Sequence, residues 1–116
     1  MQRKFRLTRS EDFKRVRRSG KSYAHPLVVL IVQAHDQPRV KVGVAAGRTV
    51  GTAVYRNRAK RLLREAMRPL IPSITPGLDL ILIARPGLTS ASLEETRRAL
   101  LILLQRAQIL IPLHES

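Results

Sequence analysis

The stretch RVKVGVAAGRTVGTAVYRNRAKRLLREAMRPLIPSITPGLDLILIA, residues 39 to 84, decides the fold. Its opening alternates: Val40, Val42 and Val44 share one face and Lys41, Gly43 and Ala45 the other, as in a half-buried strand. Its end, Leu78 to Ala84, reads as a strand buried on both faces. Between them Gly47 and Gly51 bracket a loop, Thr52 is a candidate N-cap, and PLIPSITPG from Pro69 to Gly77 breaks the helix that follows. Strand, helix and strand in this order predict a crossover unit with parallel strands, for which the physical default is right-handed.

The helix itself, within Gly51 to Arg68, carries six cationic side chains and one acidic one. At roughly 100° per residue, Tyr55, Ala59, Leu62, Leu63, Ala66 and Leu70 fall on one arc, the packing face. Lys60, Arg61, Arg64 and Arg68 fall on the other, with Asn57 between them. The cations stack at i, i+3 and i+4 spacing (60/64, 61/64 and 64/68), and such pairs repel by a few tenths of a kcal/mol each, about what a mixed-charge pair would gain. An ordinary charged helix face is simply solvated, but here almost no acids compensate the stripe. Arginine forks suit bidentate contact with phosphate, so a polyanion is the natural partner.

Working outward toward the N-terminus, residues 1 to 7 form a basic segment without periodicity. Thr8 with Glu11 has capping-box spacing and predicts a short helix to about Arg18, with Phe13 and Val16 as its apolar edge and Gly20 closing it in the left-handed conformation. Lys21 to Tyr23 reads as a short edge strand, and LVVLIV from Leu27 as a buried strand. With HDQP as a turn, that strand and RVKVGVAAG predict an antiparallel hairpin. Toward the C-terminus, Ser92 with Glu95 is a second capping box, and Leu93, Leu100, Leu104, Ala107 and Ile111 line one face of a closing helix. Residues 109 to 116 read as a loose tail, and the whole chain, 1 to 116, as one domain.

Lys and Arg number 22 against 8 Asp and Glu, a formal net charge of +14. That balance is the footprint of a nucleic-acid binder. The chain has no cysteine, which excludes disulfides and thiolate metal sites. Its charged N-terminus lacks a signal-peptide core, and its apolar runs fall far short of the roughly 20 residues a membrane span requires. A cytoplasmic protein with no membrane partner is expected. GVAAGRT is one residue short of the Walker spacing and has Arg where Lys is needed, so no small-molecule nucleotide substrate is expected. The acids form no cluster suited to two-metal chemistry, and His25, His35 and His114 lack metal-pair spacing or a nucleophile beside them. No catalytic residue is assigned; any chemistry is expected to lie with a partner.

GTAVYRNRAKRLLRE, following RVKVGVAAGRTV, resembles the signature of the bacterial ribonuclease P protein subunit family. LTRSEDFKRVRRSG near the start and DLILIARP with its SxxE helix extend the resemblance over nearly the whole chain. It implies an α+β, two-layer sandwich of order α-β-β-β-α-β-α, like the RNA-binding domains of certain ribosomal proteins, with a left-handed crossover where physics alone expects the other hand. It implies as partners a catalytic RNA and precursor tRNA, whose 5′ leader the RNA removes using Mg²⁺ held by the RNA. Carried over residue by residue, it places Arg56, Asn57, Arg58, Lys60, Arg61 and Arg64 against the RNA subunit, and the stripe adds Arg68. For the leader it implies a cleft beside the first helix, with Arg9, Phe13, Arg17 and Leu30. The two surfaces are expected to lie apart. A structural ribosomal protein is the alternative that shares the charge; a DNA-binding module lacks its helix-turn-helix pattern.

Overall fold

In the computed structural model, residues 3–112 are described. In chain order the main elements are α1 (Ser10–Ser19), β1 (Lys21–Ala24), β2 (Val28–Ala34), β3 (Val40–Ala46), α2 (Ala53–Met67), β4 (Leu78–Ala84) and α3 (Leu93–Arg106). Short 3₁₀ turns fill Arg3–Phe5, Arg48–Val50, Arg68–Ser73 and Pro86–Ser90. The order α-β-β-β-α-β-α and the α+β sandwich are as expected, with helices on both faces of the sheet.

The sheet is assembled on β4. Strand order is β1-β2-β4-β3, with β4 antiparallel to β2 and parallel to β3. The parallel strand-helix-strand unit is therefore present, but the expected β2–β3 hairpin is not. The two strands do run in opposite directions, yet β4 is inserted between them, pairing Leu82 with Leu30 on one side and Val44 on the other. The physical reason is burial. LDLILIA is the strand with most apolar surface on both sides, and a central position is the one that covers both its faces and both its edges.

Because side chains alternate, each strand supplies two layers of core. Val28, Leu30, Val42, Leu80 and Leu82 pack against Ala59, Leu63, Ala66 and Met67 of α2 and Ala99, Leu100, Leu103 and Leu104 of α3. On the opposite face Ile31 and Ile81, flanked by Val29 and Ile83, meet Val16 and Phe13 of α1. Phe13 sits so closely on Gly43 of β3 that a Cβ there would lie 2.4 Å from its Cζ.

Local readings near the termini change. Arg9, not Thr8, is the N-cap of α1, and no side chain caps it: Phe13 N–H donates to Arg9 O at 3.1 Å, so the first turn starts one residue after Thr8. Gly20 has φ −79°, an extended conformation. It is needed for space, since a Cβ would lie 2.5 Å from Val16 O and 2.6 Å from Ile31 Cγ2. Ser92 and Glu95 do form both halves of their box. The buried face of α3 is Thr96, Ala99, Leu100, Leu103 and Leu104; Leu93 and Ile111 are partly open, at 36% and 45% exposure. Residues 109 to 112 are tied down rather than loose. Ile109 is buried, Leu110 bridges to Ile74, and Ile111 N–H donates to Ser73 O at 2.7 Å. Residues 113 to 116 lie outside the described residues. The basic N-terminal segment likewise has a place: Leu7 is buried and its N–H donates to Val42 O at 2.9 Å, along the edge of β3.

Candidate nucleic-acid interface

The parallel β3–α2–β4 connection lays α2 across the sheet with one face turned away. Gly51, at φ 135°, makes the turn into it, and Thr52 holds the N-cap position through its backbone alone, accepting from Arg56 N–H at 2.9 Å. Ala59, Leu63, Ala66 and Met67 are buried beneath the helix. Tyr55, assigned to the packing arc, is 49% exposed; it lies one turn before Ala59, the first buried residue of the helix.

The cationic stripe divides in two. Asn57, Arg58, Arg61 and Arg68 are exposed, whereas Arg56, Lys60 and Arg64 are half-buried. Arg68 pairs with Glu65 at 2.6 Å; among the described residues Arg56, Arg58, Lys60, Arg61 and Arg64 make no ion pair. The Nε atoms of Arg56 and Arg64 are covered by protein and donate to no protein group. Burial, and then repulsion from Arg6, lower the pKa of Arg64 from its ordinary value, yet no carboxylate relieves it. A guanidinium is always charged in proteins, so these groups stand ready for an anion.

The expected leader residues are only partly brought together. Arg9, the N-cap residue, and Arg17 of α1 are exposed, with half-buried Phe13 between them in sequence. Leu30 is excluded. It is 0% exposed and points to the α2 and α3 side of the sheet, opposite Phe13. LVVLIV is apolar at every position, so its alternation carried no sign of which residues face which helix. Val29 and Ile83, half-buried neighbours on the α1 face, occupy the place assigned to Leu30. The two surfaces also meet: Arg6, Thr8, Phe13 and Arg64 line one cavity of about 210 Å³ over the outer edge of β3.

One group escaped sequence reasoning. Asp79 is 0% exposed and accepts from Arg15 Nη2 at 2.6 Å and from Arg39 Nη1 at 2.5 Å. Arg15 also donates to Gln33 and lies 3.4 Å from Asp12. Burial pushes the Asp79 carboxyl up, but the bonds from Arg15 and Arg39 outweigh it and hold it below its ordinary value. The signal was an acid inside a strand otherwise apolar, since a buried charge must be paired. Among the described residues no group of three His, Asp or Glu could hold a metal ion, and no helix is long and apolar enough to cross a membrane.

Fold and site together define a class, a strongly basic α+β domain whose central helix presents unpaired arginines at the open edge of a four-stranded sheet. The ribonuclease P family model matches residues 1–108. The ribonuclease P protein component of Herpetosiphon aurantiacus is 45% identical over 109 residues, covering 94% of this chain and 89% of that protein. That of Brevibacillus brevis is 38% identical, covering 100% and 94%. Among solved structures, the RNase P protein of Staphylococcus aureus superposes with TM-score 0.81 at 25% identity, covering 91% of this chain and 97% of that one. The Thermotoga maritima RNase P protein gives 0.77 at 30% identity, covering 87% and 96%. The chain belongs to the ribonuclease P protein family. Membership makes it the protein component of an endoribonuclease complex in tRNA processing, with the ribonuclease P RNA as its partner.

Proposed function

We propose that α2 binds the catalytic RNA, that α1 and the sheet face beside it bind the 5′ leader of precursor tRNA, and that the RNA cleaves the leader. The observation that carries this reading is the run of arginines on α2 without carboxylate partners. The RNA-facing set is Arg56, Asn57, Arg58, Lys60, Arg61, Arg64 and Arg68. The leader set is Arg9, Phe13 and Arg17, with Val29 and Ile83 as apolar floor.

Among the described residues no set of side chains fits a Mg²⁺ site. Its one buried carboxylate among the described residues, Asp79, has both oxygens taken by arginine. The ion is therefore assigned to the RNA, and the protein acts by positioning and by neutralising phosphate charge. With two Phe, two Tyr and no Trp, the chain grips single-stranded leader more by charge and apolar surface than by stacking, so its leader-base preference is weak.

The test is reconstitution. The protein alone leaves precursor tRNA intact, and adding a bacterial ribonuclease P RNA restores 5′ cleavage at low Mg²⁺. Cleavage by the protein without RNA would overturn the division of labour. Affinity for the RNA falls linearly in a log-log salt titration, by about 0.9 counterions per duplex phosphate contact. A flat response would remove the role of the α2 stripe.

A further inference from the structure

A cavity of about 530 Å³ opens between the first turns of α2 and the segment leading into α3, on the flank of the stripe away from Phe13. Tyr55, Leu62 and Ala59 form one wall, and Leu88, Ala91 and Leu93 the other. Two apolar side chains at its mouth are open to solvent, Tyr55 at 49% and Leu93 at 36%. Arg58 and Arg61 stand at its rim without an ion pair among the described residues, and the rim acid, Glu65, is held by Arg68 at 2.6 Å.

The ring of Tyr55 lies close over Gly51: a Cβ on residue 51 would lie 3.2 Å from it, and φ 135° there admits glycine with little competition. A flat aromatic held at the edge of an apolar floor, with two unpaired guanidinium planes beside it, matches the chemistry of one unpaired nucleobase with its phosphates outside. A duplex offers no free base face to such a slot, and an apolar protein segment would leave Arg58 and Arg61 uncompensated.

We propose that this cavity receives an unpaired base of the partner RNA, which α2 grips through its sugar-phosphate backbone. The proposal rests on α2 being the RNA-binding helix. Polar groups that could select among bases are few. Ser92 and Glu95 are spent on each other's backbone in the capping box, and the Thr89 hydroxyl donates to Pro86 O at 2.9 Å. Stacking rather than edge reading dominates, so the slot tolerates different bases.

The test is binding of the full chain to a bacterial ribonuclease P RNA across a salt series, with base-modification probing of the RNA. Tyr55→Ala and Leu93→Ser each weaken binding roughly tenfold while the slope of log affinity against log salt stays at the wild-type value, because stacking releases no counterion. One unpaired RNA base protected by the unaltered protein becomes reactive in both variants. Wild-type affinity and wild-type protection in both variants would overturn the pocket and leave the stripe standing. Loss of affinity with a reduced slope would overturn it too, by showing that only phosphate contacts had moved. No binding by the unaltered chain would remove the parent reading itself, and the pocket with it.

Discussion

Two arginine-rich regions of this molecule are built from the same residue type and do opposite work. Beneath α1, Arg15 and Arg39 converge on Asp79, whose two oxygens they share. On α2, Arg56, Arg58, Arg61 and Arg64 have no carboxylate among the described residues. In the first region the charges are satisfied internally and fasten α1 and the β2–β3 loop to β4; in the second the counter-charge must come from outside. Arginine count therefore says little about a surface until each fork is matched to its acceptor.

The sharpest way to break this contrast is Asp79→Ala. It leaves two partly exposed arginines facing each other across a fully buried position, and a loss of about 3 kcal/mol in urea unfolding is expected, the low end for a broken buried pair because both arginines keep contact with solvent. A loss below about 1 kcal/mol would mean the network is ornamental. The same carboxyl sets a pH dependence. Its folded pKa is depressed, so its contribution is complete above the ordinary carboxylate range and drains away as pH falls through about 4 toward the folded value. Urea midpoints measured from pH 6 down to pH 2 should lose this component in the wild type and show none of it in Asp79→Ala.

Next in size is Arg61→Ala, expected to weaken RNA-subunit binding by roughly tenfold to a hundredfold, about 1.5 to 3 kcal/mol, with an unchanged melting temperature. Arg15→Ala should do the reverse, lowering the melting temperature while leaving RNA affinity at the wild-type level once folded. If both variants lose affinity equally, the distinction between paired and unpaired arginines fails. Gly43→Ala probes the cleft where α1 and α2 both reach the edge of β3. It forces Phe13 off the sheet, for about 1 to 3 kcal/mol of stability, and should reduce discrimination between precursor and mature tRNA. Unchanged discrimination in a folded variant would confine Phe13 to packing. Smallest is Ser92→Ala, about 1 kcal/mol from the lost cap, read from thermal unfolding.

The elements whose signals are local were legible from sequence. The α2 stripe, the LDLILIA strand and the Ser92 box stand where their patterns put them. What escaped depends on neighbours distant in the chain. Nothing between Leu27 and Ala46 announces that β4 will separate β2 from β3. Leu30 and Val29 are equally apolar, and only the placement of α1 on one side decides which is available. Gly20 looked like a helix terminator, but the atom it makes room for is Ile31 Cγ2, on a strand that has not yet been reached. Arg64 and Phe13 share a cavity because α1 and α2 both reach the edge of β3, which neither helix reveals alone.

The insertion of β4 between β2 and β3 also orders events during synthesis. Until Leu78 to Ala84 have emerged from the ribosome, β3 has no strand partner, and β2 has only the short β1 beside it. A two-stranded ribbon of that kind is marginal in water at best. Everything before β4, including the arginine-rich α2, must wait as an open and highly cationic chain, at about 5 to 20 residues per second of elongation, for the strand that closes the sheet. A nascent chain stalled before residue 78 should therefore be protease-sensitive throughout, and resistance should appear in one step only after β4 and α3 are both available to pack.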